Sequence, residues 1–508
     1  MALGLAERIK TVLALGPDKG AIEFNGRWHS WQEIGDAMRG LDALLDAAGL
    51  GEGTPVGIVL RNRPAHFPAL LEVLASRRCV VTVNPFQSAE KLASDVRGLR
   101  LRVLIADAQD WAIAELQAAV AELGCLAIRV DTSPVLGMQV IASGTTSDAG
   151  SFHAPLPDTC ILMLTSGTTG PAKRIKLPYR HFERAIFDAE HYETKGGVMK
   201  LELKESPAVL ATPLVHIGGM YAAVAAIASA RPIVILEKFS VAEFRRVLAA
   251  YAPKLIALPP TAVRMILDAG VPQAELASLR AIRTGSAPLD PALQEAFEAH
   301  YGVPLLDAYG ATEFAGAVAG WTLKDHTAYS RAKRGSVGRA QPGCQLRVVC
   351  AATFEPLPAG SVGLLEVKTS QSDDGTWLRT TDLAEIDSDG FLFIRGRADD
   401  AIVRGGFKVL PRDVEAIFRK HPAVKDASVV GLPDQRLGAI PVVAFELHDD
   451  CAPVTTDELL AFARKDLASY QVPVHAMLVK ALPRSPSLKV SQHEVRDLFL
   501  RQLQQQVA

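Results

Sequence analysis

Along most of this chain, short β-branched apolar runs alternate with stretches whose apolar residues recur at helical spacing. VGIVL (56–60) reads as a strand and PAHFPALLEVLASRR as the helix after it, with CVVTVNP as the next strand. VLIAD (103–107) precedes the helical WAIAELQAAVAEL, and PIVIL (232–236) precedes the helix VAEFRRVLAAYA. LIALPP leads into TAVRMILDAG, while LRAIRTG and VPLLDAYG flank the helix DPALQEAFEAHYG. This rhythm predicts α/β layers with parallel strands. In such sheets ligands bind where strands end.

After about Gly335 the texture changes. GCQLRVVC, GLLEVKT and FLFIRGR are closely spaced strands with turn signals between them, which predicts a small β region. GRADDAIVRGG, rich in charge and glycine, follows, then a helix VEAIFRKH and the strands ASVVGL and PVVAFEL of a compact α+β tail. The expected fold is α/β: a large N-terminal domain of layered α/β subdomains plus a small β region, with a smaller mobile α+β C-terminal domain. The boundary falls at Asp399, giving domains of residues 1–398 and 399–508.

Composition adds limits. A chain of 508 residues, 49% hydrophobic and 22% charged, suits more than one domain with substantial cores. A net charge of −2 supplies no broad basic field, so nucleic acid is not expected as a partner. The six cysteines form no C-x-x-C pair, so neither a zinc site nor a disulfide framework is suggested. Glu7, Arg8 and Lys10 interrupt the amphipathic N-terminus, which therefore does not read as a signal peptide. The most apolar stretch, IGGMYAAVAAIASA (217–230), is shorter than a membrane span and reads as a buried helix. A cytoplasmic enzyme without a transmembrane segment is the expectation, and a homodimer is the candidate assembly.

The strand CILML (160–164) runs into TSGTTGPAK. Thr165, Ser166, Gly167, Thr168, Thr169, Gly170 and Lys173 have the character of a phosphate grip: glycines let backbone N–H groups approach, hydroxyls add donors and lysine adds charge. The loop is not G-x-x-x-x-G-K-[ST], because Ala172 precedes Lys173 and Arg174 follows it. Four further stretches stand in order: GSAPL (285–289), DAYGATEF (307–314), WLRTTDL (377–383) and PRSPSLKV (483–490). Each is weak alone, since Thr312-Glu313 also suits a helix start, Asp382 a turn and Lys489 a solvated surface.

Together, in this order and spacing, they resemble the adenylate-forming superfamily of acyl-CoA synthetases, peptide-synthetase adenylation domains and luciferases, over nearly the whole chain. The resemblance implies that Thr165–Lys173 clasps the ATP phosphates, and that Gly285, Ser286 and Ala287 flank adenine within a nucleotide site that includes Asp307, Ala308 and Gly310. Tyr309 would stack on adenine, Thr312 would bond phosphate, and Glu313 would hold Mg²⁺. Asp382 would accept the ribose hydroxyls, with Arg397 reaching the same region. It implies a hinge at Asp399, Lys408 near the phosphates, Gly405 and Gly406 against the pantetheine of CoA, His216 between the acyl and CoA channels, and Lys489 as the adenylation lysine. The sequence departs from the family pattern in reading G-P-A-K in the loop, Thr381 for the glycine of T-G-D, and Leu488 for the glycine before the lysine.

The implied activity is an ATP-dependent acid–CoA ligase. A carboxylate is a poor electrophile, and attack on the α-phosphate of ATP converts it to a mixed anhydride. Metal and fixed cations stabilise the charge of that step, and Asp382 anchors the ribose so that the α-phosphate lies in line. A thiol must then replace Lys489, which a hinged C-terminal domain permits. The stretches near His216, 285–287 and 308–320 are rich in small residues and contain no Lys or Arg. An apolar acid is therefore expected: a medium or long fatty acid, or an aromatic or alicyclic one. No carrier domain is fused, so free CoA is the expected acceptor. The competing readings are loading of a separate carrier protein and a non-catalytic nucleotide-binding homologue.

Overall fold

The structure is a computed structural model, and it describes residues 3–133, 135–144, 152–164, 174–193, 201–369, 375–485 and 488–507. Its central sheet has seven strands in the order Gly137–Ala142, Leu126–Asp131, Val103–Asp107, Pro55–Val59, Cys79–Val83, Thr159–Leu164 and Arg174–Pro178. The five inner strands run parallel and the two edges antiparallel. Pro55–Val59, Cys79–Val83 and Val103–Asp107 are buried at every position. That explains their continuous apolar runs, because helices cover both faces of such a sheet. The helix His66–Ala75 is likewise buried along its length.

Two smaller sheets complete the α/β layers. In one, Ala208–Leu210, Ile233–Ile235 and Gly20–Phe24 run parallel, and Arg27–Ser30 closes the edge. In the other, Leu255–Ala257, Ala281–Gly285 and Leu305–Ala311 run parallel, and Gly316–Gly320 and Arg339–Ala340 follow antiparallel. The apolar stretch after His216 forms the helix Ile217–Ala228, packed into the main core. The predicted single helix WAIAELQAAVAEL is divided. Asp107 caps a short helix Ala108–Trp111, Trp111 Nε1 donates to the Ile128 carbonyl, and a second helix runs Ala114–Leu123. The hairpin Gly20–Ser30 went unread although its turn is Asn25-Gly26, both at positive φ (52° and 85°), the usual two-residue hairpin signal.

The small β region is a four-stranded antiparallel meander, Gln345–Val349, Val362–Lys368, Leu378–Ile386 and Leu392–Arg397. The small C-terminal domain holds the hairpin Ile402–Arg404/Phe407–Val409, the long hairpin Val424–Asp434/Gly438–Leu447, and His475–Val479 parallel to it. Ile402, Val409, Val414, Phe418, Val429, Val443, Phe445 and Leu459 form a core of its own. No helix among the described residues is long and apolar enough to cross a membrane.

Candidate active site

The site assembles where strands of two sheets end. Thr165, Ser166, Gly167, Thr168, Thr169, Gly170 and Lys173 lie outside the described residues. The strands that lead into and out of their loop are well anchored. Leu164 N donates to Thr82 Oγ1 (3.4 Å), and Arg174 donates to the Thr82 carbonyl (2.8 Å) and to both oxygens of Asp95 (2.8 and 2.7 Å). The strand Arg174–Pro178 also packs against the turn Thr312–Phe314. The loop's two ends and the Thr312-Glu313 turn therefore share one rim.

In the third sheet, Gly285 pairs with Ala308. A Cβ on Gly285 would stand 3.0 Å from the Ala308 carbonyl, so glycine permits the close approach. Ser286 follows at φ 66°, a left-handed conformation that few side chains adopt. Asp307 lies in the strand Leu305–Ala311. It is 5% exposed and takes the Thr284 hydroxyl on Oδ1 (2.8 Å). Burial pushes its carboxyl up to about 6, opposed by Thr284, the Ala308 N–H and Arg412. The Asp307 side chain, expected at the nucleotide site, links its strand to Ala281–Gly285 through Thr284.

Tyr309 donates its hydroxyl to Asp382 Oδ2 (2.5 Å), which joins the third sheet to the meander. Burial raises the pKa of both groups. Asp382 stands opposite Arg397 in the strand register. Arg397 turns its guanidinium to Asp399, with bonds of 2.8 and 2.6 Å. Gly310 has no room for a side chain, since a Cβ would lie 2.3 Å from the Gly316 carbonyl. Thr312 is half-buried. Glu313 is exposed, close enough to Tyr309 for its charge to be felt, and it accepts no hydrogen bond from the described residues. An exposed carboxylate beside a hydroxyl is the hard-oxygen donor set that Mg²⁺ takes, so these residues fit that ion.

Lys489 of the C-terminal domain lies close to His216 of the large domain. Burial lowers the lysine's pKa. His216 lies near enough that burial first, and then the Lys489 charge, lower its value to about 4, leaving it neutral. Nε2 of His216 is buried and has no hydrogen-bond partner among the described residues. Leu488 stands at φ 62°. A side chain in that left-handed conformation costs about 1–2 kcal/mol, so the loop keeps the backbone geometry glycine favours even though the residue is leucine. Gly405 and Gly406, at φ 56° and 88°, form a two-residue hairpin turn. Both, and Lys408 after them, are exposed on the surface of the C-terminal domain. The hairpin is tied to that domain by Arg404, whose Nη1 donates to the Tyr470 and Val472 carbonyls.

The stretches expected to line the acid pocket do meet. A Cβ on Gly218 would find Ser286 Oγ at 4.0 Å, and one on Gly316 would find the Tyr221 ring at 3.9 Å, so each could carry a methyl in ordinary van der Waals contact. Gly219 differs, because a Cβ there would collide with the Pro213 carbonyl at 2.2 Å.

Three residues of this region escaped the sequence reading. Asn62 is 4% exposed and holds the segment before His216. It donates to the Thr212 and Leu236 carbonyls (3.1 and 3.2 Å) and accepts from Leu214 N (2.8 Å). Arg412 of the C-terminal domain donates to the Ile394 carbonyl (2.5 Å) of the meander. Thr261 donates to the Leu488 carbonyl (3.0 Å). Each is one polar residue bonded to backbone far away in sequence, and a local pattern cannot register that.

The sequence profile of the AMP-binding enzyme family matches residues 10–375, and that of the AMP-binding enzyme C-terminal domain matches 413–489. The chain belongs to the AMP-binding enzyme family. Relatives of this AMP-binding enzyme include the sulfoacetate–CoA ligase of Cupriavidus necator, 30% identical over 87% of this chain and 87% of its own. The 2-succinylbenzoate–CoA ligase of Bacillus cereus is 26% identical over 95% of this chain and 96% of its own. Among solved structures, ATP-bound MatB from Rhodopseudomonas palustris aligns with a TM-score of 0.81 at 22% identity, covering 98% of this chain and 99% of that one. The AMP-binding enzyme shares with it the large N-terminal and small C-terminal domain.

Proposed function

We propose that this protein is an ATP-dependent acid–CoA ligase. A carboxylate oxygen of the acid attacks the α-phosphorus of ATP, the bond to the bridging oxygen breaks, and pyrophosphate leaves. The thiol sulfur of CoA then attacks the acyl carbonyl of the adenylate, the thiol proton is lost, and AMP leaves. The observation that supports the reading is the seating of Lys489 of the C-terminal domain, buried close to His216 of the large domain, where Tyr309, Asp382, Thr312 and Glu313 would complete the site. Its positive charge is suited to the α-phosphate and carboxylate oxygens as charge builds on them. Asp382 would anchor the ribose, with Tyr309 and Ser286 beside the base. Thr312 and Glu313 would meet the phosphates and Mg²⁺, which when bound supplies charge neutralisation.

The two half-reactions need different groups at one place. Residues 399–508 would therefore turn about Asp399, whose pair with Arg397 marks the joint. Turning would withdraw Lys489 and bring Gly405, Gly406 and Lys408, now exposed, toward the cleft and the arriving CoA. The acid fitted best by this pocket is an apolar monocarboxylate, aromatic, alicyclic or fatty. The stretches 216–221, 285–287 and 308–320 are rich in small residues and hold no Lys or Arg for a second anionic group. The test is incubation with ATP, Mg²⁺, CoA and a panel of apolar, dianionic and amino acids, with products read by mass spectrometry. A thioester of an apolar acid with matching AMP supports the reading. A thioester from dianionic acids alone overturns the pocket assignment, and acyl-AMP that accumulates with CoA present moves the acceptor to a carrier protein.

A further inference from the structure

Lys489 can work in the cleft only if the loop that carries it is held against the large domain. That loop is closed within its own domain by two backbone bonds, Leu488 N to the Ser485 carbonyl (2.8 Å) and Ser485 N to the Lys489 carbonyl (2.7 Å). Arg484 braces its base through Asp426 (2.7 Å). None of these contacts fixes the loop relative to the large domain. The Thr261 hydroxyl does so: it sits in the first turn of the helix Pro260–Asp268 and donates to the Leu488 carbonyl at 3.0 Å.

The Leu488 carbonyl and the Lys489 N–H belong to one planar peptide unit. Thr261 (3.0 Å) and, more weakly, Arg484 Nη1 (3.4 Å) hold its oxygen side, and Ser485 Oγ accepts from its nitrogen side at 3.3 Å. The Lys489 Cα is attached to that plane, so the plane's orientation sets the direction in which the lysine side chain leaves. The left-handed conformation of Leu488 (φ 62°) is part of the same geometry, since a change of φ there would swing the carbonyl away from Thr261.

We propose that Thr261 is a positioning residue for adenylation: its hydroxyl, by holding the Leu488 carbonyl, sets Lys489 into the cleft. This rests on the ligase reading for its kinetic consequence but not for its structural one. Thr261→Val removes the donor at nearly constant shape, and Thr261→Ser keeps it. Lys489 accessibility is read by the rate of labelling with an amine-reactive ester, against the exposed Lys465 as internal reference, in the full-length protein. Loss of one hydrogen bond predicts about fivefold faster labelling of Lys489 and about fivefold slower acyl-adenylate formation in the valine variant. Thioester formation from supplied acyl-AMP should be unchanged, and the serine variant should match the native chain throughout. The proposal is overturned if valine leaves Lys489 labelling unchanged, if it slows both half-reactions equally, or if serine behaves as valine does. A native chain that forms no adenylate from any acid would instead refute the ligase reading, and the labelling pattern would still decide the role of Thr261.

Discussion

Asp307→Asn should stabilise the protein increasingly as pH rises. The carboxyl is buried between two strands, and burial lifts it from the ordinary 3.8 to about 6. Such a displacement corresponds to ~3 kcal/mol between its protonation states. A carboxyl whose folded value lies above its unfolded one gives the fold stability that is fully present below the unfolded value and fades as pH rises through the folded one. The native chain thus carries the charge of Asp307 as a penalty at neutral pH. Asparagine keeps an oxygen for the Thr284 hydroxyl and has no charge to bury. Between pH 5 and pH 8 the variant should gain on the native chain by about 1–2 kcal/mol, the part of the titration in that window. Urea melts of both proteins at the two pH values measure this directly. A stability difference that is the same at both, or a variant that loses ground toward pH 8, would refute the assignment of Asp307 as a buried charge rather than a nucleotide ligand.

Other outcomes follow from the same geometry. Lys489→Ala should abolish acyl-adenylate formation while thioester still forms from supplied acyl-AMP, measured as separate half-reactions. Asn62→Ala removes the partner of three backbone groups, two of them buried, and should cost about 2–4 kcal/mol in a urea melt. Tyr309→Phe should change the KM for ATP only modestly, whereas Asp382→Ala should raise it by roughly ten- to a hundredfold, the range for hydrogen bonds to a charged group. His216 is uncharged above about pH 4. The native pH–rate profile between pH 5 and 8 should therefore keep its shape in His216→Phe, and an inflection near 6.5 that vanishes in the variant would contradict this.

Four of the five inner strands of the central sheet were legible because burial on both faces leaves apolar runs such as VLIAD unbroken, whereas Leu126–Asp131, interrupted by Arg129, was not read. The edge hairpin Gly20–Ser30 was missed because its faces differ, though Asn25-Gly26 announced the turn. Around the site, the motif residues stood out because the expected chemistry fixes their type: a carboxylate at Asp382, a cation at Lys489, glycines where backbones meet. The burial of Asp307 and its bond to Thr284 could not be read from the motif, because Thr284 lies on a neighbouring strand. Asn62, Thr261 and Arg412 were invisible because each acts on backbone atoms that only the fold brings near. Leu488 stood out in the sequence as a departure from glycine. The fold resolves it, because the residue changes while the left-handed backbone stays.

Acid-dependent exchange of labelled pyrophosphate into ATP tests the central claim most directly, because only reversible formation of an acyl-adenylate supports it. The account predicts exchange that needs both Mg²⁺ and an apolar carboxylic acid and disappears in Lys489→Ala. Exchange that persists without the lysine, or ATP binding with no exchange for any acid, would contradict it.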